Sequence, residues 1–139
     1  ALVGYSLAFS PGTPFIGSFG FAGLQGVGLD AQGAIPHLLF MAFQGTFAII
    51  TAALISGAIV ERLRFGTYVA FVVAWMLLVY APVAHWVWGG GFLATAGALD
   101  FAGGAVVRAN AAAAALVAAL VVGPRKDYGR HAILPHNVP

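Results

Sequence analysis

Apolar residues run along this chain in four stretches, separated by Gly, Pro or charged residues. The first, residues 1–9, is too short to cross a bilayer and is typical of the end of a helix. The other three, at about 34–60, 65–88 and 100–122, each have the length of a membrane-spanning helix. Residues 10–33 are rich in Gly and Pro and predict a loop. The pattern therefore predicts an all-α, polytopic transmembrane helix bundle.

The composition strengthens this prediction. Hydrophobic residues make up 61% of the 139 residues and charged residues 7%, whereas about 25% of an average soluble domain is charged. The net charge of +2 is too small to indicate nucleic-acid binding, and the chain has no cysteine. Because the chain begins at Ala1 and ends in "ILPHNVP", we expect it to be a piece of a longer protein.

Basic residues predict the orientation of the spans. Five of the six lie after the second and fourth apolar stretches, at Arg62, Arg64, Arg125, Lys126 and Arg130. The loops at 10–33 and 89–99 contain neither Lys nor Arg. Because loops that carry Lys and Arg face the cytoplasm, residues 61–64 and 125–130 are predicted to be cytoplasmic. The sixth basic residue, Arg108, lies within the last span, where a fixed charge costs about 3 kcal/mol or more.

Several features within the spans have structural interpretations. The segments "ISGAI" and "AGGAVV" contain small residues that allow helices to approach closely. Ser and Thr in the spans are expected to bond to their own helix, so we assign them no role. The segment "YAPVAHWVWGGG" contains a proline, at which a kink is predicted. These features predict a tightly packed bundle and do not identify what it carries.

The sequence contains no recognisable enzyme motif. It has no HExxH, GxSxG or Walker lysine, and its "WGGGF" lacks the residues of a phosphate loop. The four histidines have no metal-ligand spacing: His37, His85, His131 and His136. Of these, His85 is interpreted as a packed or interfacial side chain. We therefore predict a protein that is not an enzyme and needs no metal or cofactor.

Four residues could form a site for a small cation, although each has an ordinary structural interpretation too. Phe43 and Phe47 share one helix face and are typical of core or lipid-facing aromatics. Trp88 stands where interfacial tryptophans are common, and Asp100 where a helix N-cap is expected. An aromatic face can also bind a cation through its ring quadrupole, and a carboxylate can support such a site.

Three segments identify a family resemblance: "AFQGTFAIITAALISGAIVERLRF", "PVAHWVWGGGFLATAGALDFAGG" and "LPHNVP". They closely resemble the ammonium transporter family, which includes methylammonium permeases and Rhesus-type proteins. The resemblance implies that residues 1–139 run from the end of the second transmembrane helix to the loop after the fifth, out of eleven. It also implies a multi-pass protein of the plasma membrane, a homotrimer with one pore per subunit, and a cytoplasmic regulatory partner of the nitrogen-signalling type.

The same resemblance implies roles for the four candidate residues. Phe47 corresponds to the outer phenylalanine gate, and Phe43 is its neighbour one turn away. Trp88 corresponds to the wall of the external ammonium site, and Asp100 to the aspartate that supports this site. At the position of the first of two pore histidines the chain carries Arg108. A guanidinium has no hydrogen-bond acceptor and does not deprotonate, so transport competence is in doubt.

Three interpretations of Arg108 stay open. It is a sequence variant that abolishes conduction, or the mark of a relative that binds ammonium without conducting it. Alternatively, Arg108 is displaced from the pore axis and paired, with Asp100 as the nearest candidate about two turns away. The first predicted function is therefore ammonium transport through a hydrophobic pore. The alternative is a non-conducting ammonium receptor or regulatory subunit with the same fold.

Overall fold

The computed structural model describes residues 2–125 and 128–129. Within them the chain is mostly helical, and the helices are α1 (Gly4–Phe9), α2 (His37–Ile59), α3 (Phe65–Trp75), α4 (Ala81–Val87), α5 (Phe92–Thr95) and α6 (Asn110–Val122). Two π-helical segments, Met76–Tyr80 and Gly104–Ala109, precede α4 and α6. The loop before α2 contains a short 3-10 turn, Ala22–Leu24, and a two-stranded antiparallel pair, β1 (Ala31–Gln32) and β2 (Ile35–Pro36).

Three helical segments are long and apolar enough to cross a membrane: His37–Ile59, Phe65–Thr95 and Gly104–Val122. The first lies inside the predicted span at 34–60. The second continues past residue 88 through a turn into α5. The third starts four residues later than predicted, because Gly103 adopts a left-handed conformation, φ +70°, that a helix cannot include. The prediction of an all-α, multi-pass membrane protein is confirmed.

The π-helical segment Met76–Tyr80 follows from the position of Pro82. Proline has no backbone N–H, and its ring collides with the carbonyl four residues earlier, which belongs to Leu78. The helix widens at Met76–Tyr80 and regains α geometry at Ala81. The predicted kink site thus takes the form of a π segment within one continuous span.

The bundle has two ends of different character. At the Trp88 end, defined as residues 10–33 and 88–103, the Phe92 N–H donates to Pro14 O at 3.0 Å and joins the two segments. At the arginine end, residues 61–64 and 123–125, Arg62 Nη1 donates to Gly123 O at 3.0 Å. The two loops that carry arginine therefore share one end, as the charge pattern predicts. Lys126, Arg130, His131 and His136 lie outside the described residues.

Close packing of small and branched residues holds α2 against α6 and α1 against α4. Ile55 of α2 and Val106, just before α6, are completely buried. Hydroxyl groups in α2 return to their own helix: Thr46 Oγ1 donates to Phe43 O, and Thr51 Oγ1 donates to Phe47 O. For these residues the prediction of hydrogen bonds within their own helix is confirmed.

Candidate functional site

Three aromatic rings meet where α2 passes the end of α4. The ring of Phe47 lies 5.4 Å from that of Trp88 and 5.2 Å from that of Phe43, with edge-to-face geometry in both pairs. Phe47 and Trp88 are half-buried, whereas 53% of Phe43 is exposed. Phe47 is therefore the central ring of the group, and its neighbours present π surface on either side of it.

Trp88 is held from the other side by the chain segment that precedes the last span. Its Nε1–H donates to the backbone oxygen of Asp100 at 2.8 Å. The Asp100 side chain points to the helix instead: its Oδ1 accepts the N–H of Gly104 at 2.6 Å. Its Oδ2 accepts the N–H groups of Ala105 and Val106 at 2.9 and 3.0 Å. Asp100 thus caps the helix from outside it and supplies the backbone oxygen that orients Trp88.

The hydrogen bonds explain the ionisation of Asp100. Partial burial raises the pKa of its carboxyl group, but hydrogen bonds from the N–H groups of Val106, Ala105, Gly104 and Gly103 outweigh burial, so the pKa is lowered from 3.8. The positive end of the helix dipole acts in the same direction. Asp100 is therefore a carboxylate at neutral pH, with both oxygens already engaged by backbone N–H groups.

Gly103 belongs to this site, although it is not among the residues predicted from the sequence. A Cβ at this position would lie 2.9 Å from Val107 Cγ2 and 3.4 Å from Trp88 Cη2. The "AGGAVV" segment is predicted to bring helices together, and residues 104–109 do contact α2. Gly103, in addition, turns the chain before the helix and leaves room for the indole. A Gly pair directly before an apolar run is the signal that could have identified this turn.

Arg108 reaches back toward the same segment. Its Nη1 donates to the backbone oxygen of Ala102 at 2.6 Å, and the side chain is exposed. The backbone N–H groups of both Val107 and Arg108 approach Gly103 O, which is the π-helical feature of this turn. The guanidinium is thus tied to the residue two positions after Asp100, close to the segment that holds Trp88.

The suggested pairing of Arg108 with Asp100 is wrong in this structure. Among the described residues the ion pair that forms joins Arg125 Nη1 to Glu61 Oε2 at 3.0 Å. Asp100 is unavailable to Arg108 because its carboxylate is engaged by the N–H groups at the start of the helix. The guanidinium turns to a backbone carbonyl instead, which accepts a hydrogen bond but does not neutralise the charge.

The chemistry of this site favours small cations at its aromatic part. Ring faces attract cations at about 0.5–2 kcal/mol, depending on desolvation, and need no carboxylate in direct contact. The three aromatic residues and Asp100 do not form a nucleophile–base pair that would indicate catalysis. Arg108, in contrast, is permanently charged and repels a cation, by about 4 kcal/mol at 4 Å for an effective dielectric of 20. The aromatic rings belong to the first and second spans, whereas Arg108 lies in the first turns of the third.

Three apolar spanning helices with a group of aromatic rings at one end are the features of a multi-pass membrane protein. A sequence profile of the Ammonium Transporter Family matches residues 1–139. The chain belongs to the ammonium transporter family. It is 56% identical over 140 residues to an ammonium transporter of Bacillus subtilis and 50% identical over 143 residues to one of Aquifex aeolicus. These alignments cover 99% of this chain but 34% and 32% of the relatives.

Solved structures agree with this assignment. The N240A mutant of Candida albicans Mep2 superposes with a TM-score of 0.80 at 42% identity, over 89% of this chain and 28% of that one. Saccharomyces cerevisiae Mep2 gives a TM-score of 0.80 at 41% identity, over 89% of this chain and 29% of that one. The chain therefore spans about one third of the length of the relatives it matches. Those relatives are named as transporters rather than as enzymes.

Proposed function

We propose that this protein takes part in ammonium transport across the plasma membrane and that it captures the cation at the aromatic group formed by Phe43, Phe47 and Trp88. The observation that carries this proposal is the contact between Phe47 and Trp88, whose rings lie 5.4 Å apart with the indole fixed by Asp100 O. Two ring systems side by side replace part of the hydration that ammonium loses. Membership of the ammonium transporter family supports the choice of cation.

In this proposal each residue has a separate role. Trp88 attracts the cation, and Phe47 covers the entrance to the apolar path, with Phe43 as the exposed neighbour above it. Asp100 acts indirectly, by capping the helix and by offering the oxygen that orients Trp88. The Trp88 end faces the outside and the arginine end faces the cytoplasm, in agreement with the positive-inside rule. A trimer and a cytoplasmic regulatory partner remain part of the proposal through the family resemblance.

Arg108 limits the steps after capture. A guanidinium tied to Ala102 O lies beside the segment that holds Trp88, and its charge opposes both a cation and a transferred proton. A neutral imidazole at this position would instead both donate and accept hydrogen bonds. We propose that the protein binds ammonium well and conducts it poorly. The exposed charge of Arg108 also favours the second candidate function, a non-conducting ammonium receptor or regulatory subunit.

Ammonium binding to the full-length protein tests the capture site. We expect Trp88→Leu to raise the dissociation constant between about twofold and thirtyfold, which corresponds to the loss of a cation–π contact. Trp75→Phe is the matched control, because Trp75 packs against Tyr80 in the core and should leave binding unchanged. Isothermal titration with ammonium chloride in detergent or nanodiscs gives both constants. Equal affinity of the Trp88→Leu variant and the unmodified protein would remove Trp88 from the site.

A further inference from the structure

His85 is a buried polar residue that the proposed capture mechanism does not use. It is 2% exposed, and its two ring nitrogens each lie 2.9 Å from a backbone carbonyl oxygen. Nδ1 faces Ala8 O at the end of α1, and Nε2 faces Thr13 O in the loop that follows. Whichever nitrogen carries hydrogen therefore donates to one of these carbonyls. The imidazole joins α4 to two segments that lie more than 70 residues away in sequence.

The backbone of His85 holds the turn that begins at Trp88. His85 O accepts the N–H of Gly89 at 3.1 Å and that of Gly91 at 2.9 Å. A Cβ on Gly89 would overlap Ala8 O and lie 2.7 Å from His85 Nδ1. A Cβ on Gly91 would lie 2.7 Å from His85 O and 2.8 Å from Pro14 O. The turn, the loop and α1 thus meet backbone to backbone around one imidazole.

We call the contact of the turn at residues 89–91 with α1 and the loop around His85 the joint. Trp88 connects this joint to the aromatic site. On one side its indole bonds to Asp100 O, and on the other its backbone leads directly into the turn that His85 holds. The segments 2–29 and 65–99, which surround His85, contain no Asp, Glu, Lys or Arg. Polar fixation here therefore relies on uncharged hydrogen-bonding groups, and His85 is the side chain that contacts both α1 and the loop. Loss of the imidazole would remove the hydrogen bond to whichever of these two carbonyls, Ala8 O or Thr13 O, accepts from it.

We propose that His85 is a positioning residue for Trp88: it fixes the turn at Gly89–Gly91 against α1 and the loop, and so sets the orientation of the indole at the capture site. This inference rests on the proposed ammonium site. From the sequence His85 is interpreted as a packed or interfacial side chain, and its burial agrees with the packed alternative. The inference adds that this packing orients Trp88.

Two variants of the full-length protein separate hydrogen bonding from mere space filling. His85→Leu fills a similar volume without a donor, whereas His85→Gln keeps an amide N–H that can donate to the same carbonyls. The protein is labelled with 5-fluorotryptophan, and the Trp88 resonance is assigned by its loss in Trp88→Phe. We expect His85→Leu to shift or broaden this resonance and to weaken ammonium binding at least about twofold. His85→Gln should restore both signals substantially.

Trp86→Phe is the matched control. Trp86 lies on α4, two residues before Trp88, and donates from Nε1 to Phe15 O at 2.7 Å. The variant therefore loosens the same loop without involving His85. We expect it to leave the Trp88 resonance and ammonium affinity unchanged. The Trp75 resonance, from the core beside Tyr80, serves as the internal reference for intact folding.

The inference is overturned if His85→Leu leaves the Trp88 resonance and the dissociation constant unchanged, or if His85→Gln behaves like His85→Leu. Should His85→Leu fail to fold, Gly89→Ala forces the same joint apart with the imidazole in place, and an unmoved Trp88 resonance in that variant overturns the inference as well. If Trp88→Leu itself does not affect binding, the proposed capture site fails, while the resonance still decides whether His85 positions Trp88.

Discussion

The Trp88 end and the arginine end of the bundle are built from opposite kinds of interaction. At the arginine end, guanidinium groups form an ion pair with Glu61 and a hydrogen bond to Gly123 O. At the Trp88 end, aromatic rings and backbone hydrogen bonds meet, and the carboxylate of Asp100 is engaged by backbone N–H groups. Fixed charges thus hold the loops at one end, while the other end presents aromatic rings rather than a free carboxylate.

Arg108 does not fit this division between a charged end and an aromatic end. It is a fixed positive charge on the first turns of a span whose start lies at the Trp88 end. Its hydrogen bond to Ala102 O satisfies one donor but does not neutralise the charge. In the proposed function, the capture site and the first part of the path therefore act against each other. Neutral variants of Arg108 remove the fixed positive charge near the Trp88 end. Variants at other positions test the hydrogen bonds and the ion pair that distinguish the two ends.

The largest effect is expected from removing the charge of Arg108. In the full-length protein Arg108→His should raise methylammonium uptake by about three orders of magnitude, because a repulsion of about 4 kcal/mol disappears. Uptake is measured in cells that lack other ammonium transporters, with equal surface expression. Arg108→Lys, which keeps a cationic side chain, is the control and should stay as slow as the unmodified protein. High uptake in the lysine variant would show that charge is not the cause.

A smaller effect is expected at the turn before the last span. Gly103→Ala places a Cβ at a residue with φ +70° and 2.9 Å from Val107 Cγ2. We expect a loss of about 1–3 kcal/mol in the free energy of unfolding, because a side chain is strained at this φ and Val107 must shift. Gly104→Ala is the matched control, since its Cβ would meet Asp100 Oδ1 at an ordinary 3.6 Å. Equal stability of the two variants would contradict this account of the turn.

Asp100 should make stability depend on pH. Its pKa is lowered in the folded protein, so the ionised form favours folding; this contribution is present above pH 3.8 and is lost as the pH falls through the lowered pKa. Asp100→Asn should therefore lower the unfolding temperature most near neutral pH. The difference between the variant and the unmodified protein should shrink progressively in acid. A difference that stays constant with pH would show that the carboxylate charge does not support the helix.

The smallest effect is expected at the arginine end. The side chains of Arg125 and Glu61 are 29% and 67% exposed, so solvent screens their ion pair. Glu61→Gln should cost at most about 0.5 kcal/mol, and the cost should vanish at high salt. Chemical unfolding at two ionic strengths measures it. A salt-independent loss above about 1 kcal/mol would mean that this ion pair holds the two loops together more strongly than surface pairs do.

The helical architecture could be predicted well, because each span is a long, predominantly apolar run. The resemblance also identified Phe43, Phe47, Trp88 and Asp100, and the structure brings all four into one neighbourhood. The local sequence could not predict the hydrogen-bond partners of the individual Asp100 oxygens. Its backbone oxygen meets Trp88 while its carboxylate meets the helix, and this depends on the path of residues 100–103.

The partners of Arg108 and His85 were beyond prediction for a related reason. Helix periodicity suggests Asp100 as the partner of Arg108, yet residues 100–103 lie outside the helix, so that periodicity does not apply to them. His85 bonds to Ala8 and Thr13, which are far away in sequence and present only backbone carbonyls. A backbone acceptor has no signature in the amino-acid sequence. Only the fold shows which carbonyl a side chain reaches.

One electrical measurement tests whether capture and conduction are separated in this protein. Full-length unmodified protein is reconstituted into proteoliposomes, and the current is recorded after a step in ammonium concentration. We expect a brief charge displacement as ammonium reaches the Trp88 site, lost in Trp88→Leu, with no lasting current. A sustained current that saturates with ammonium and is unaffected by Arg108→His would contradict this separation, because a cation would then pass Arg108 unhindered.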